Sequence, residues 1–306
     1  MKILITGGHG FLGKYVCQIL EERGYDICAP THEEFDLMDR EFVHHILSIN
    51  PVDVIIHLAA LCGGIGANRM RPAEFFYNNL TMGTNLMHEA WLNGVKKFVA
   101  VGTVCAYPKF TPTPFREEDL WTGYPEETNA PYGLAKKMLL VQAQAYREQY
   151  GFNAIYLLPV NLYGPGDNFN PRSSHVIPAL IRKIDEAIIH GEDKIIVWGT
   201  GEPTREFLYV EDCARGLCDA MEKYNSPEPM NLGTGQEISI GALVLTLKDL
   251  MGYEGKVEWD TDKPDGQPSR CLDITRAKEN INWKPKVGLR KGLLKTIDWW
   301  RDHVRK

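Results

Sequence analysis

Lys2-Ile3-Leu4-Ile5-Thr6-Gly7-Gly8-His9-Gly10-Phe11-Leu12-Gly13 opens on a short apolar run and breaks into glycines at 7, 8, 10 and 13. A helical pattern follows, with Leu12, Val16, Ile19 and Leu20 on one face and Gly24 where a C-cap belongs. A strand, a glycine turn and an amphipathic helix in that order predict a phosphate-binding turn. The first glycine permits the tight turn, the second lets a pyrophosphate approach backbone N–H groups at the helix start, and the third lets helix and strand pack closely. Residues Gly7, Gly8, His9, Gly10, Phe11, Leu12 and Gly13 are therefore expected to hold a dinucleotide.

Working outward, apolar runs of buried-strand type recur at Asp26–Ala29, Val54–Leu58, Phe98–Val101 and Ala154–Leu158, with helical stretches between them. The alternation predicts an α/β fold, a Rossmann-type doubly wound parallel sheet. After Pro159 the texture changes. Residues 161–174 are rich in Pro, Gly and Asn and read as a long functional loop. The expected organisation is a dinucleotide-binding domain over 1–160 and a smaller α/β substrate domain over 161–306. Segments near 195–222 are expected to return to the first.

Composition narrows the function. Across 306 residues, 34 Lys+Arg against 40 Asp+Glu give a net charge of −6, which argues against a nucleic-acid partner. Seven cysteines with no CxxC pair point away from zinc and from a disulfide framework, and towards reduced thiols in a cytoplasm. No metal site is expected. The apolar stretch 52–67 is broken by Asp53 and His57, so no membrane span is expected, and the strand beginning at Lys2 leaves no room for a signal peptide.

At the adenosine end, an acidic residue ~20 positions beyond the glycines would favour NAD and an arginine NADP. Here the second strand runs into Ala29-Pro30-Thr31-His32-Glu33. His9 and His32 could approach a 2′-phosphate, and Asp36-Leu37 is placed to meet the adenine. NADP is the expected cofactor, with NAD possible.

Of 13 tyrosines, Tyr132 alone has a lysine four residues on, Lys136. That spacing puts both on one helix face, where an ammonium would lower the phenol's pKa and let it pass a proton near neutral pH. Gly102-Thr103-Val104-Cys105-Ala106-Tyr107-Pro108 follows the fourth strand at the sheet's ligand-binding edge, so Thr103 can reach the same substrate oxygen.

Together these features resemble the extended short-chain dehydrogenase/reductase superfamily along essentially the whole chain. Gly63-Gly64-Ile65-Gly66-Ala67-Asn68, Cys105–Lys109, Asn161-Leu162-Tyr163-Gly164-Pro165, Ser174–Leu180, Val197-Trp198-Gly199 and Lys263-Pro264-Asp265-Gly266 resemble, within it, the GDP-L-fucose synthase family. The resemblance implies a 3,5-epimerase and 4-reductase of GDP-4-keto-6-deoxy-D-mannose using NADPH. It implies Cys105 and His175 as the base and acid on opposite faces of the sugar, and Tyr132 as proton donor to O4. Lys136 would also hold the nicotinamide ribose. It further implies cofactor contacts at Ala59, Ala60, Val101, Gly102, Pro159, Asn161, Leu162 and His175, and substrate contacts at Asn161, Lys183, Trp198, Arg205 and Asp265.

The chain departs from the family where Thr103-Val104 replaces two serines, and where His9 and His32 replace arginines. A 4-ketoreductase or an epimerase acting on another GDP-, dTDP- or CDP-linked 4-keto sugar stays open, as does an idle NAD(P)-sensing protein. A dehydratase is disfavoured because no Asp-Glu pair follows Thr103. The resemblance also implies a homodimer through a four-helix bundle built around residues 79–92 and 134–150.

Overall fold

The computed structural model describes residues 1–263 and 265–305, so Pro264 of the quoted blocks lies outside the described residues. The first half runs β1 (Lys2–Thr6), α1 (Phe11–Glu22), β2 (Asp26–Cys28), α2 (Arg40–Ile49), β3 (Val54–His57), α3 (Ile65–Met70), α4 (Pro72–Leu92) and β4 (Lys97–Val101). It continues through α5 (Ala130–Tyr150) to β5 (Ala154–Pro159). Then come β6 (Asn161–Tyr163), α6 (Val176–His190), β7 (Lys194–Trp198), β8 (Thr204–Tyr209), α7 (Val210–Lys223), β9 (Met230–Leu232) and β10 (Glu237–Ser239). The chain closes with α8 (Ile240–Met251), β11 (Lys256–Asp260), α9 (Thr275–Ile281) and α10 (Leu289–His303).

Six parallel strands form the main sheet in the order β2-β1-β3-β4-β5-β9. Ile3, Ile5, Ile55, Ile56, Phe98 and Val99 are wholly buried, as a sheet covered on both faces requires. Helices α1 and α7 pair with each other, as do α4 and α5. The chain leaves β1 for β2 and returns to β3 on the other side, so strand order reverses at β1. Ligands of such sheets bind in the crevice at that reversal.

A second core gathers Ile181, Ile184, Val197, Leu243, Leu247, Leu293 and Trp300 around α6, α8 and α10. It packs on two small sheets, β10-β8-β6 and β11-β7. The segment expected to return to the first domain therefore divides. Strands β7 and β8 stay with the second unit, whereas α7 crosses back, burying Cys213, Ala214 and Leu217 in the first core. Two further returns lie beyond that segment. Strand β9 pairs with β5 at Leu157↔Met230, and Leu272, Ile274, Ala277 and Trp283 join the first core. A three-residue strand has too little pattern to be read from periodicity.

Lys97 is a lysine inside a buried strand. Its ammonium donates to the carbonyls of Met221 (2.5 Å) and Tyr224 (2.7 Å) and to Asn225 Oδ1 (3.0 Å) at the end of α7. Those bonds satisfy the buried cation and clamp α7 to the sheet.

Candidate active site

The turn after β1 is built from close approaches that only glycine allows. Gly7 has φ +74°, and a Cβ there would lie 2.7 Å from Ala59 N beyond β3. One at Gly13 would lie 2.1 Å from Gly7 O, and one at Gly8 would lie 2.6 Å from Ala29 Cβ. The amide of Gly10 donates to Gly7 O at 3.0 Å and begins α1, and no side chain caps that helix. Its first-turn N–H groups are left for an anion, so the cradle fits a dinucleotide pyrophosphate.

At the adenosine end, His9 Nε2–H donates to Ala29 O at 2.8 Å, which fixes its imidazole beside the end of β2. His32 is exposed. Asp36 accepts from Met38 N at 2.9 Å. The Leu37 side chain lies in the first core, where burial favours an apolar leucine.

The chemistry gathers at the carboxyl edge of β4. Thr103 Oγ1 accepts from Cys105 N at 3.2 Å, shaping the loop that bears both. Helix α5 presses its first turn against that loop, since a Cβ on Gly133 would lie 2.3 Å from Cys105 O. Tyr132 and Cys105 are thereby set side by side. Tyr156 Oη donates to Lys136 O at 2.9 Å and would meet a Cβ on Gly102 at 2.2 Å, locking β5, α5 and the Val101-Gly102 edge together. Ala59 and Ala60 follow β3 and Pro159 ends β5 at this same edge of the sheet, while Asn161 and Leu162 open β6 of the neighbouring three-stranded sheet, with Leu162 packed against the first core.

Burial overturns one expectation. It pushes the Tyr132 phenol well above its usual value, helped by the neighbouring Cys62 thiol, so the resting group is a neutral phenol. Burial also pulls Lys136 down to about 8, with Cys62 opposing. Desolvation outweighs the lysine's charge here. The protonated phenol is the form that can donate to a ketone oxygen.

Cys62 Sγ stands 3.4 Å from Tyr132 Oη. Its surface opens to the cleft while protein surrounds it on the other sides. Asn79 holds this loop by donating to Leu61 O and accepting from Leu61 N, both at 3.0 Å. Gly64 N donates to Ser173 O at 3.2 Å, joining the loop to the one that carries His175. His175 is the N-cap of α6 and makes no side-chain capping bond. Burial, then the charge of Arg270, holds that imidazole below its ordinary value.

The substrate set is only partly aimed inward. Arg205 donates to Thr204 O at 2.7 Å and Asp265 O at 3.0 Å, and burial followed by Arg270 drops it to about 9. Lys183 spends its ammonium on Ile196 O, and both oxygens of Asp265 are taken by Thr200, at 2.8 and 2.9 Å. Asp265 thus shapes the turn beside Trp198, which is 58% exposed, with Lys263 Nζ 5.7 Å from the ring centroid. Asn161 Oδ1 accepts from Arg270 at 3.2 Å.

Cys62 and Arg270 were missed by sequence reasoning. Cys62 had only its place before Gly63-Gly64 to mark it, and Arg270 is a single basic residue in an irregular stretch.

Residues 3–233 match the NAD dependent epimerase/dehydratase family. The chain is 42% identical to GDP-L-fucose synthase 1 of Arabidopsis thaliana over 304 residues, covering 99% of this chain and 94% of that one. Among solved structures it is similar to a GDP-6-OMe-4-keto-L-xylo-heptose reductase from C. jejuni (TM-score 0.92, 28% identity, 98% and 97% of the two chains). It is also similar to a GDP-L-fucose synthetase from Naegleria fowleri bound to NADP (TM-score 0.88, 30% identity, 100% and 96%).

Proposed function

Because the chain belongs to the GDP-L-fucose synthase branch of the NAD dependent epimerase/dehydratase family, we propose that it converts GDP-4-keto-6-deoxy-D-mannose to GDP-L-fucose with NADPH. The observation that carries this reading is the placement of a thiol, Cys105, on the same loop as Thr103, with Gly133 packing the Tyr132 turn onto it. A plain reductase needs the phenol and the hydroxyl; the thiol is what an inverting enzyme adds.

The C4 ketone acidifies the protons at C3 and C5. Cys105 takes one as thiolate, and the C–H pair becomes the enolate whose oxygen Thr103 and Tyr132 hold. His175 returns a proton from the opposite face. Tyr132 then protonates O4, with Lys136 supporting the phenol and the cofactor ribose. When bound, NADPH supplies the hydride for C4. Lys183, Trp198 and Arg205 serve the sugar nucleotide, and Asn161 lies where sugar and nicotinamide meet.

Exposed apolar residues on the paired helices, Phe76 and Tyr77 on α4 and Val141 on α5, support a homodimer through those helices. Seven free thiols support a reducing cytoplasmic setting. Among the described residues no helix is long and apolar enough to cross a membrane.

The test is incubation with GDP-4-keto-6-deoxy-D-mannose in D₂O, first without and then with NADPH, followed by mass spectrometry and NMR of the sugar. Deuterium at C3 and C5 and a GDP-L-fucose product are expected. Likeness to the heptose reductase favours one alternative, a reductase that inverts nothing. Efficient reduction with no exchange at either carbon would establish that alternative instead.

A further inference from the structure

Arg270 is 7% exposed and lies between β11 and α9, outside the catalytic set. Its Nη1 donates to Cys105 Sγ at 3.6 Å and to Asn161 Oδ1 at 3.2 Å, and its Nε donates to Gln267 Oε1 at 3.2 Å. Gln267, 2% exposed, passes the brace onward through Nε2 to Pro108 O (3.1 Å) and Lys109 O (3.2 Å). Those carbonyls belong to the loop that begins at Thr103. The guanidinium is therefore fixed against the Cys105 loop from one side and against β6 from the other.

Its partners are two amide oxygens and a thiol, with no carboxylate among them. The other charge that bears on it, Arg205, has the same sign. A buried cation is costly to leave without an anion, and a planar guanidinium holds an anion by direction as well as by charge. The atom within its reach that can become an anion is Cys105 Sγ.

Resting on the reading of Cys105 as the base, we propose that Arg270 is a positioning residue that holds the Cys105 sulfur as thiolate and aims it at the carbon beside the ketone. Arg205, Cys62 and Tyr132 also face that sulfur, and of these only Arg205 carries charge in the resting site. In the step itself the sulfur lone pair takes the proton and the C–H pair moves to the enolate. Cys105 ends as neutral thiol, and the negative charge passes to the ketone oxygen. Arg270 stays beside the sulfur and neither gains nor loses a proton.

The experiment compares Arg270→Met, Arg270→Lys and Cys105→Ser. Two rates are read: deuterium entry at C3 and C5 of GDP-4-keto-6-deoxy-D-mannose without NADPH, and iodoacetamide labelling of the Cys105 peptide by mass spectrometry. Removing a charged hydrogen bond of this kind should lower both rates by roughly 10- to 100-fold in Arg270→Met, with NADPH binding retained. Arg270→Lys should recover most of each. Wild-type labelling and exchange in Arg270→Met would overturn the proposal, as would Arg270→Lys behaving like the methionine variant. If Arg270→Met fails to bind NADPH, Arg270→Lys decides, near-normal labelling supporting the role and loss of labelling rejecting it. Exchange that persists in Cys105→Ser removes Cys105 as the base, a separate failure that leaves the labelling comparison readable.

Discussion

Cys62 Sγ and Tyr132 Oη lie 3.4 Å apart at the floor of the cleft, so the proton donor of the reduction shares its pocket with a second thiol. Burial raises the Cys62 thiol, and it is a slow nucleophile, yet its face is open to solvent. N-ethylmaleimide should therefore cap it and block the approach of a ketone to Tyr132. With Cys105 replaced by serine, so that its thiol cannot be capped at the same site, Cys62→Val should resist this loss of reduction. Equal loss of reduction in both proteins would place the critical thiol elsewhere.

Tyr132→Phe should lower reduction by ~10²–10⁴-fold, the usual contribution of a positioned acid. Solvent exchange at C3 and C5 should persist, because Cys105 and Thr103 remain. NADPH titration by fluorescence and turnover measured together check this, and near-normal turnover would remove the phenol from the mechanism.

Lys136 holds its proton only below about 8, since burial opposes its charge. A lowered lysine is cationic beneath that value and neutral above it, so reduction should decline as pH rises through about 8. Lys136→Arg, which keeps its charge at all working pH values, should lose that falling limb in whatever activity remains. The check is kcat for reduction against pH; a wild-type profile flat across the value would contradict it.

His57 is wholly buried, bonded through Nδ1 to Thr6 Oγ1 at 2.8 Å, and among the described residues its Nε2 has no partner. Burial, then the Lys136 charge, holds it well below its ordinary 6.5. The unfolded chain thus binds the proton first as pH falls, and stability present above 6.5 is lost below it. The loss approaches ~1.4 kcal/mol per pH unit for one such group. Urea midpoints across that window should show the slope, and His57→Asn should flatten it.

The family resemblance implies His9 at the position where an arginine would meet a 2′-phosphate, and its ring is tied to Ala29 O. His9→Arg should tighten NADPH relative to NADH by about 1.5–3 kcal/mol, roughly ten- to a hundredfold in Kd. Unchanged Kd values for both would show that the phosphate sits elsewhere.

The main sheet was legible because each parallel strand is a continuous apolar run and each glycine of the first turn has a distinct steric duty. Thr103, Tyr132 and Lys136 were legible for a related reason, since their spacing and their place after a strand are local. Arg270 was not. Its contacts reach 165 residues back to Cys105 and 109 back to Asn161, and no local pattern records such separations. Asp265 and Lys183 show the converse. Both were named from the sequence, yet in the free protein Thr200, 65 residues away, occupies both oxygens of Asp265, and the carbonyl of Ile196 occupies the Lys183 ammonium. The phenol's protonation was misjudged because spacing reveals the lysine but not the burial.

The chain's repeated crossing between the two cores bears on how the protein could be cut or recombined. A fragment ending near residue 160 would lack β9 and α7, leaving the outer edge of β5 unpaired and stripping α1 of its partner helix. Bare strand edges seed aggregation. The complementary fragment would carry α7, β9 and Trp283 without the main sheet and α1 that cover them. Substrate preference therefore cannot be transplanted between relatives at a single splice point: a functional chimera would have to exchange 161–209, 237–271 and the α10 stretch from Val287 onward as separate inserts and leave the stretches between them in place.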